Sequence, residues 1–329
     1  MEASAGRGAE IPDLSAAHLF LRQGDAFLLT THVNSDGDGI GACLAMGRLL
    51  AGMGKRATIV FPDEPDEHYD FLEGWAGIQR VTPETAAPVP RLVALDCPNL
   101  ERLGRVQAHL GPQSLVLNVD HHSGNTLFGH VNVVTTAVSS TCEAVYHLAA
   151  SLGLAVDAAT AAQLCAGIVF DTGGFRYSLT TATTFEVAAD LVRRGARVDL
   201  IAQRVFGDRS LSQVRQLGQA LGSLHLRCRG RVAVMRLTHE EMQGGRADDA
   251  VSFGLQVHGV VVSLLLKEEE PGTQRVSLRS RDPFDVSEVA ARFGGGGHVR
   301  ASGCRLVGEA AEVEERLLAV IDECMRQGG

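Results

Sequence analysis

The chain has 329 residues, 45% of them hydrophobic, and a net charge of −9; it is long enough to bury a large core and divides more readily into two domains than one. No apolar run approaches the roughly 20 residues of a membrane span, the start MEASAGRGAE lacks the pattern of a secretory signal, and the seven cysteines form no C-x-x-C pair. These features exclude a membrane partner, a zinc ribbon and a secreted disulfide framework, and the expectation is a cytoplasmic protein.

Strand-like runs at Ala26–Thr31, Arg56–Phe61, Arg91–Asp96 and Ser114–Asp120, with helices at Gly39–Gly52 and Ser139–Leu152, predict an α/β fold. Its N-terminal part is a mostly parallel sheet flanked by helices. After Arg193-Arg194-Gly195-Ala196 a helical stretch, Asp199–Gly222, reads as a connector. Strand-like runs at Arg231–Leu237, His258–Leu266 and Arg275–Ser280 follow, then helices near Val286–Phe293 and Ala311–Met325, which make a smaller α+β domain. The expected boundaries are 1–196 for the first domain, 197–222 for a helical linker and 223–329 for the second. Residues 1–196 hold 12 Lys+Arg against 21 Asp+Glu, and the remainder 18 against 18. That balance argues against a long basic groove tracking polymeric DNA or RNA.

Four segments carry the chemistry: His32-Val33-Asn34-Ser35-Asp36-Gly37-Asp38, Leu95-Asp96-Cys97, Asp120-His121-His122 and Phe170-Asp171-Thr172-Gly173. Three of them end predicted strands, where ligands of open α/β sheets bind. A lone Asp in such a place is commonly a helix cap or turn former, but four segments together suit a pair of hard cations. Carboxylates supply oxygen, imidazole shifts preference toward Mn²⁺, and one shared carboxylate holds two ions about 3.5–4 Å apart.

DGDGIGA, a strand-end Asp, DHH and FDTGGF in this order resemble the four motifs of the DHH phosphoesterase superfamily. Phe293-Gly294-Gly295-Gly296-Gly297-His298-Val299-Arg300-Ala301-Ser302-Gly303 resembles the glycine-rich signature of its DHH-associated domain of the first type. Within the superfamily the chain is most similar to the oligoribonuclease and phosphoadenosine-phosphate phosphatase group, the nanoRNases. The resemblance implies that His32, Asp36 and Asp96 bind one divalent ion, and Asp38, Asp96, His121 and Asp171 a second, with Asp96 as the bridge. Mn²⁺ is the expected metal, with Mg²⁺ or Co²⁺ as alternatives. Four carboxylates against two divalent ions leave little positive charge for phosphate, so further cations must come from elsewhere. His122 is expected to contact the phosphate or protonate a leaving oxygen, and Asp120 to orient its histidine neighbours.

In the second domain the glycine strip removes every side chain between Phe293 and His298, so a base or phosphate can approach backbone N–H groups at Gly295, Gly296 and Gly297. The strip is followed by Ala-Ser-Gly and Cys304-Arg305-Leu306, a return into a strand, which disfavours a flexible linker. Arg279 and Arg281, ending a strand, are candidate phosphate clamps. Ser277-Leu278-Arg279-Ser280 resembles the family's substrate-binding strand, and His298 and Arg300 complete the expected set. Arg176 faces the cleft or forms a structural ion pair.

The implied function is a Mn²⁺-dependent phosphodiesterase that degrades oligoribonucleotides of about two to five nucleotides to mononucleotides. It would also remove phosphate from 3′-phosphoadenosine 5′-phosphate (pAp), using two-metal activation of a water. Alternatives within the superfamily are a phosphodiesterase for cyclic or linear dinucleotides (c-di-AMP, pApA, pGpG) and a single-stranded DNA exonuclease. From another class comes a nucleotide-binding scaffold without catalysis, disfavoured because every ligand position is filled. A homodimer is left open.

Overall fold

Alternating side chains along short apolar strands build the first sheet. In the computed structural model, which describes residues 12–82, 87–244 and 249–327, the chain divides into two units, Met1–Asp208 and Arg209–Gly329. The first unit runs α1 (Ser15–Gln23), β1 (Ala26–Thr30), α2 (Gly37–Gly52), β2 (Arg56–Phe61), β3 (Gln79–Arg80), β4 (Arg91–Leu95), a 3₁₀ segment (Leu100–His109), β5 (Leu115–Asp120) and β6 (Val131–Val134). Four helices follow: α3 (Thr141–Ser151), α4 (Ala158–Asp171), α5 (Ala182–Arg193) and α6 (Val198–Phe206).

The six strands lie in the order β3-β2-β1-β4-β5-β6, and every pairing is parallel. Phe27, Leu29, Val93, Leu95, Leu117 and Val119 share one core with α2, α3 and α4. Their neighbours Leu28, Leu92, Ala94 and Val116 share another with Leu103 and Val106 of the 3₁₀ segment. This period of two puts apolar side chains on both faces, as a buried parallel sheet requires. Chain order reverses between β1 and β4, and at such a reversal the connections leave to opposite sides and open a crevice at the strand ends.

The second unit runs α7 (Leu211–Gly222), β7 (His225–Arg227), β8 (Val232–Leu237), α8 (Ala250–Gly254), β9 (Val262–Glu270), β10 (Thr273–Ser280), α9 (Val286–Ala291), β11 (Gly296–His298), β12 (Ala301–Val307) and α10 (Ala310–Gln327). Its sheet has the order β11-β12-β10-β9-β8-β7. All pairs are antiparallel except β8 with β9. Val234, Leu264 and Leu266 meet Val289 of α9 and Leu317 of α10, whereas Met235 and Leu265 meet Ala220 of α7 and Val251 of α8. The sheet is thus covered on both faces, and the expected α/β class with a second mixed sheet is observed.

Several elements differ from expectation. The strand expected from His258 starts at Val262, because Val260 N bonds back to Val257 O in a turn that holds Gly259 at φ +84°. Helices α1, α4, α5 and α8 and strands β3, β6, β7 and β11 are not among the elements expected from the sequence. In the stretch expected as a linker, Ile201 of α6 joins the first unit's core and Ala220 of α7 the second's. Among the described residues no helix is long and apolar enough to cross a membrane, and all seven cysteines are free thiols.

Candidate metal centre

Three strand ends and one helix end bring the acidic and imidazole groups together. β1 delivers His32, and the turn after it places Asp36 as the N-cap of α2, its Oδ1 accepting from Asp38 N at 3.0 Å and Gly39 N at 3.3 Å. Such an Asx cap fixes the carboxylate while leaving Oδ2 unspent. Asp38, in the first turn of α2, is fully buried. β4 delivers Asp96, whose backbone adopts φ +57°, a left-handed conformation uncommon outside glycine and typical of functional turns. β5 ends in Asp120 and is followed by His121 and His122, and Asp171 is the last residue of α4.

His32 Nε2 stands 3.5 Å from Asp36 Oδ2 and 3.4 Å from Asp96 Oδ2. His121 Nε2 stands 2.9 Å from Asp171 Oδ2, 3.7 Å from Asp96 Oδ1 and 4.0 Å from Asp38 Oδ2. Divalent ions bond nitrogen and oxygen at about 2.0–2.2 Å, so donors around one ion sit about 3.0 Å apart at right angles and about 3.4 Å apart at tetrahedral angles. Most of these separations fall at or near those edge lengths. Asp96 belongs to both groups, presenting Oδ2 to one and Oδ1 to the other, the arrangement in which one carboxylate serves two adjacent ions. It also belongs to a third set with Asp120 and His122: His122 Nδ1 lies 2.8 Å from Asp120 Oδ1 and 3.5 Å from Asp96 Oδ1.

The charges are crowded. Burial, followed by Asp171 and Asp96, holds Asp38 well above the usual carboxylate value, and burial, followed by Asp96 and Asp36, does the same to Asp171. Asp96 is the counterpart: burial works to raise it, but His32 and the other imidazoles outweigh that and lower it. For His32 burial is overcome by Asp36 and Asp96, and for His122 by Asp120 and Asp96, so both rings are raised above 6.5. Carboxylates forced toward protonation by one another are what a divalent cation relieves. The oxygen-rich set with interspersed imidazole therefore fits hard or borderline divalent ions.

The supporting contacts were not expected. α3 aims its N-terminus at Asp38, with Thr141 N 2.6 Å from Oδ2 and Cys142 N 2.9 Å from Oδ1, and Thr141 Oγ1 donates to Asp96 Oδ1 at 3.2 Å. Helix N-termini favour anions in this way. Buried Glu143 braces that end, accepting from Ser139 N, Ser139 Oγ and Thr184 Oγ1. Asn125 Nδ2 donates to Asp120 Oδ2 at 2.6 Å. The only sequence signal was Ser140 followed three residues later by Glu143, a helix-start pattern.

In the second unit Arg279 lies on β10, level with Ala301 of β12, and Nη1 donates to Leu278 O at 3.0 Å. Ser280 Oγ donates to Phe284 O at 2.5 Å and so holds the turn after β10. The glycine strip is an edge strand: Gly296, Gly297 and His298 pair with Gly303, Ser302 and Ala301. Gly297 has φ +141°, and a Cβ there would stand 2.5 Å from Ala301 O; one at Gly296 would meet nothing, and Gly295 precedes β11, close against Gly303. Arg300 is engaged locally by Asp282 and by Phe284 O, and Arg281 by Leu255 O. Among the described residues Arg176 forms no carboxylate pair; it donates to Gly173 O at 2.5 Å and lies over the Phe206 ring.

The model of the DHH family, N-terminal domain, matches residues 26–168, and that of the DHHA1 domain matches residues 229–327. A bifunctional oligoribonuclease and PAP phosphatase, NrnA, of Thermus thermophilus is 33% identical over 302 residues, covering 92% of this chain and 90% of the relative. The chain belongs to the DHH family. The namesake from Bacillus subtilis is 24% identical, covering 92% of this chain and 96% of its own length, and as these relatives are hydrolases the expected enzyme class is borne out. An exopolyphosphatase-related protein from Bacteroides fragilis has the same fold, with a TM-score of 0.87 at 24% identity over 95% of both chains. The matched DHH segment contains every residue of the cluster except Asp171, and the matched DHHA1 segment contains Arg279, His298 and the glycine strip.

Proposed function

We propose that this DHH-family protein is a metal-dependent phosphoesterase that cuts very short oligoribonucleotides and pAp. One observation carries the reading: two donor groups, His32 with Asp36 and His121 with Asp38 and Asp171, share the two oxygens of Asp96. The relatives named as oligoribonuclease and PAP phosphatase supply the substrate class. We assign two divalent ions to these groups, with Mn²⁺ preferred because two imidazoles stand among the oxygens. When bound, such ions supply Lewis acidity and a water of lowered pKa.

The remaining side chains define how a substrate is held. Asp120 accepts from His122 Nδ1, which fixes the ring and turns Nε2 to the phosphate or the leaving oxygen. Thr141 and Cys142 amides keep Asp38 oriented. Arg279 and His298 are assigned to substrate binding. The free cysteines fit a reducing compartment, and a cytoplasmic location is part of the proposal.

The test is one substrate panel with Mn²⁺: pAp, linear and cyclic dinucleotides, a pentamer and a long single strand. Turnover of pAp and linear dinucleotides, falling steeply with length and abolished by chelator, is expected. Equal rates on the long strand would refute the assignment of substrate. Asp96→Asn is the companion variant, since Asn tolerates the left-handed backbone at this position. It should lose at least about 1,000-fold in kcat together with its Mn²⁺ uptake, without loss of fold by circular dichroism; undiminished turnover would remove Asp96 from the centre.

A further inference from the structure

A cationic side chain outside the expected ligand set touches it. Arg102, in the 3₁₀ segment after β4, brings Nη2 to 2.7 Å from His32 Nδ1 and 3.3 Å from Val33 O. Its backbone is clamped to the same loop: Val33 N donates to Arg102 O at 2.8 Å, and Arg102 N donates to Asn99 Oδ1 at 3.0 Å. His32 Nδ1 also lies 2.8 Å from Val33 O. The two neighbours make opposite demands, because the carbonyl needs a proton on Nδ1 whereas the guanidinium, a donor only, needs a lone pair there. A neutral ring that ligates through Nε2 carries its proton on Nδ1. That proton belongs to Val33 O, so ligation leaves the Arg102 donor without its acceptor on the ring.

The rest of the guanidinium is equally unspent. Among the described residues Nε is buried without a partner, and the hydrogen bonds of the side chain run through Nη2. Within the first unit, among the described residues, Arg102 is the one arginine or lysine whose side chain hydrogen-bonds a member of the cluster. Arg48, Arg80 and Arg204 are taken by Glu73 and Asp157, by Glu64 and by Asp70. A guanidinium with spare donors, set against the ring of a histidine in the cluster, can supply the countercharge for an anion.

We propose that Arg102 is a substrate-binding residue that grips a non-bridging oxygen of the phosphate being cut once His32 is ligated. The inference rests on the phosphoesterase reading. A planar fork of donors matches a phosphate edge, which a lysine ammonium does not reproduce.

The Mn²⁺-loaded full chain and its Arg102→Ala and Arg102→Lys variants are titrated with AMP and with inorganic phosphate by calorimetry, and Mn²⁺ uptake is measured separately. Expected are unchanged Mn²⁺ affinity and AMP binding weaker by about 10- to 100-fold in Arg102→Ala. Arg102→Lys should recover only part of this, methylguanidinium should restore binding to the Ala variant, and kcat/KM on pAp should fall by a similar factor. AMP binding equal to wild type would overturn the proposal, and so would a matching loss of Mn²⁺ affinity, which would make Arg102 a prop for His32. If the Ala variant does not fold, Arg102→Gln carries the same comparison. Failure of the wild type itself to bind AMP or turn over pAp sinks the phosphoesterase reading instead, so the two failures are separable.

Discussion

Asp96 combines an uncommon backbone with two opposed partners, and its surroundings set how the metal-free protein responds to pH. Asp38 and Asp171 have pKa values raised by burial and by neighbouring carboxylates. A carboxyl raised on folding gives up stability as pH climbs above its unfolded value of 3.8. His32 and His122 are raised as well, so their contribution is complete below 6.5 and fades as pH passes through the higher folded value. Asp96, lowered, contributes steadily anywhere above 3.8. All the changing contributions run the same way, so in chelator the melting temperature should decline from about pH 5 to about pH 9, and Mn²⁺ should remove most of the slope. A flat profile in chelator would contradict the crowding. The acidic and imidazole members of this cluster were legible because they punctuate apolar runs. Thr141 and Arg102 were not, since each acts on a partner distant in the chain, and neither was Asn125, whose bond back to Asp120 no sequence pattern marks.

At the level of elements, α2 and α4 approach closely enough that glycine is required where they meet. A Cβ on Gly41 would stand 2.5 Å from the backbone oxygen of Gln163, and one on Gly167 would stand 2.3 Å from Cys142 Sγ and 2.6 Å from Asp38 Oδ1. Gly41→Ala should therefore cost about 1–3 kcal/mol in urea unfolding, as overpacked cores do. Gly167→Ala should cost a similar amount and, by displacing Asp38, also weaken Mn²⁺ binding, which Gly41→Ala should affect less. Equal Mn²⁺ affinity in both variants would show that Asp38 does not depend on that packing. The same closeness explains why α4 was illegible in the sequence. From Thr160 to Val169 only Ala162 of its side chains escapes burial, so the helix has no polar face and no period of 3.6 for the eye to follow. The strands of the first sheet were readable because each is a short apolar run ended by polar residues, whereas β3 and β11, with two and three residues, fall below any useful pattern.

On the scale of the whole molecule, the acidic excess lies in the half that holds the cluster and the balanced charge in the half that holds Arg279 and His298. A division between cutting and holding makes a kinetic statement. Arg279→Ala should raise KM for a dinucleotide by about 10-fold or more while leaving kcat within a factor of a few, since the side chain is assigned to binding alone. Loss of kcat with KM unchanged would contradict that assignment. The reversal of strand order between β1 and β4 has a further effect. It gathers the proposed ligands from position 32 to position 171 at one edge of the sheet, so the donors meet only after β1, β4 and β5 have paired and α4 has packed. Chain entropy is settled by folding and not by the ion, and an incompletely assembled molecule should be blind to manganese. Metal uptake per chain would then count the natively folded fraction of any preparation.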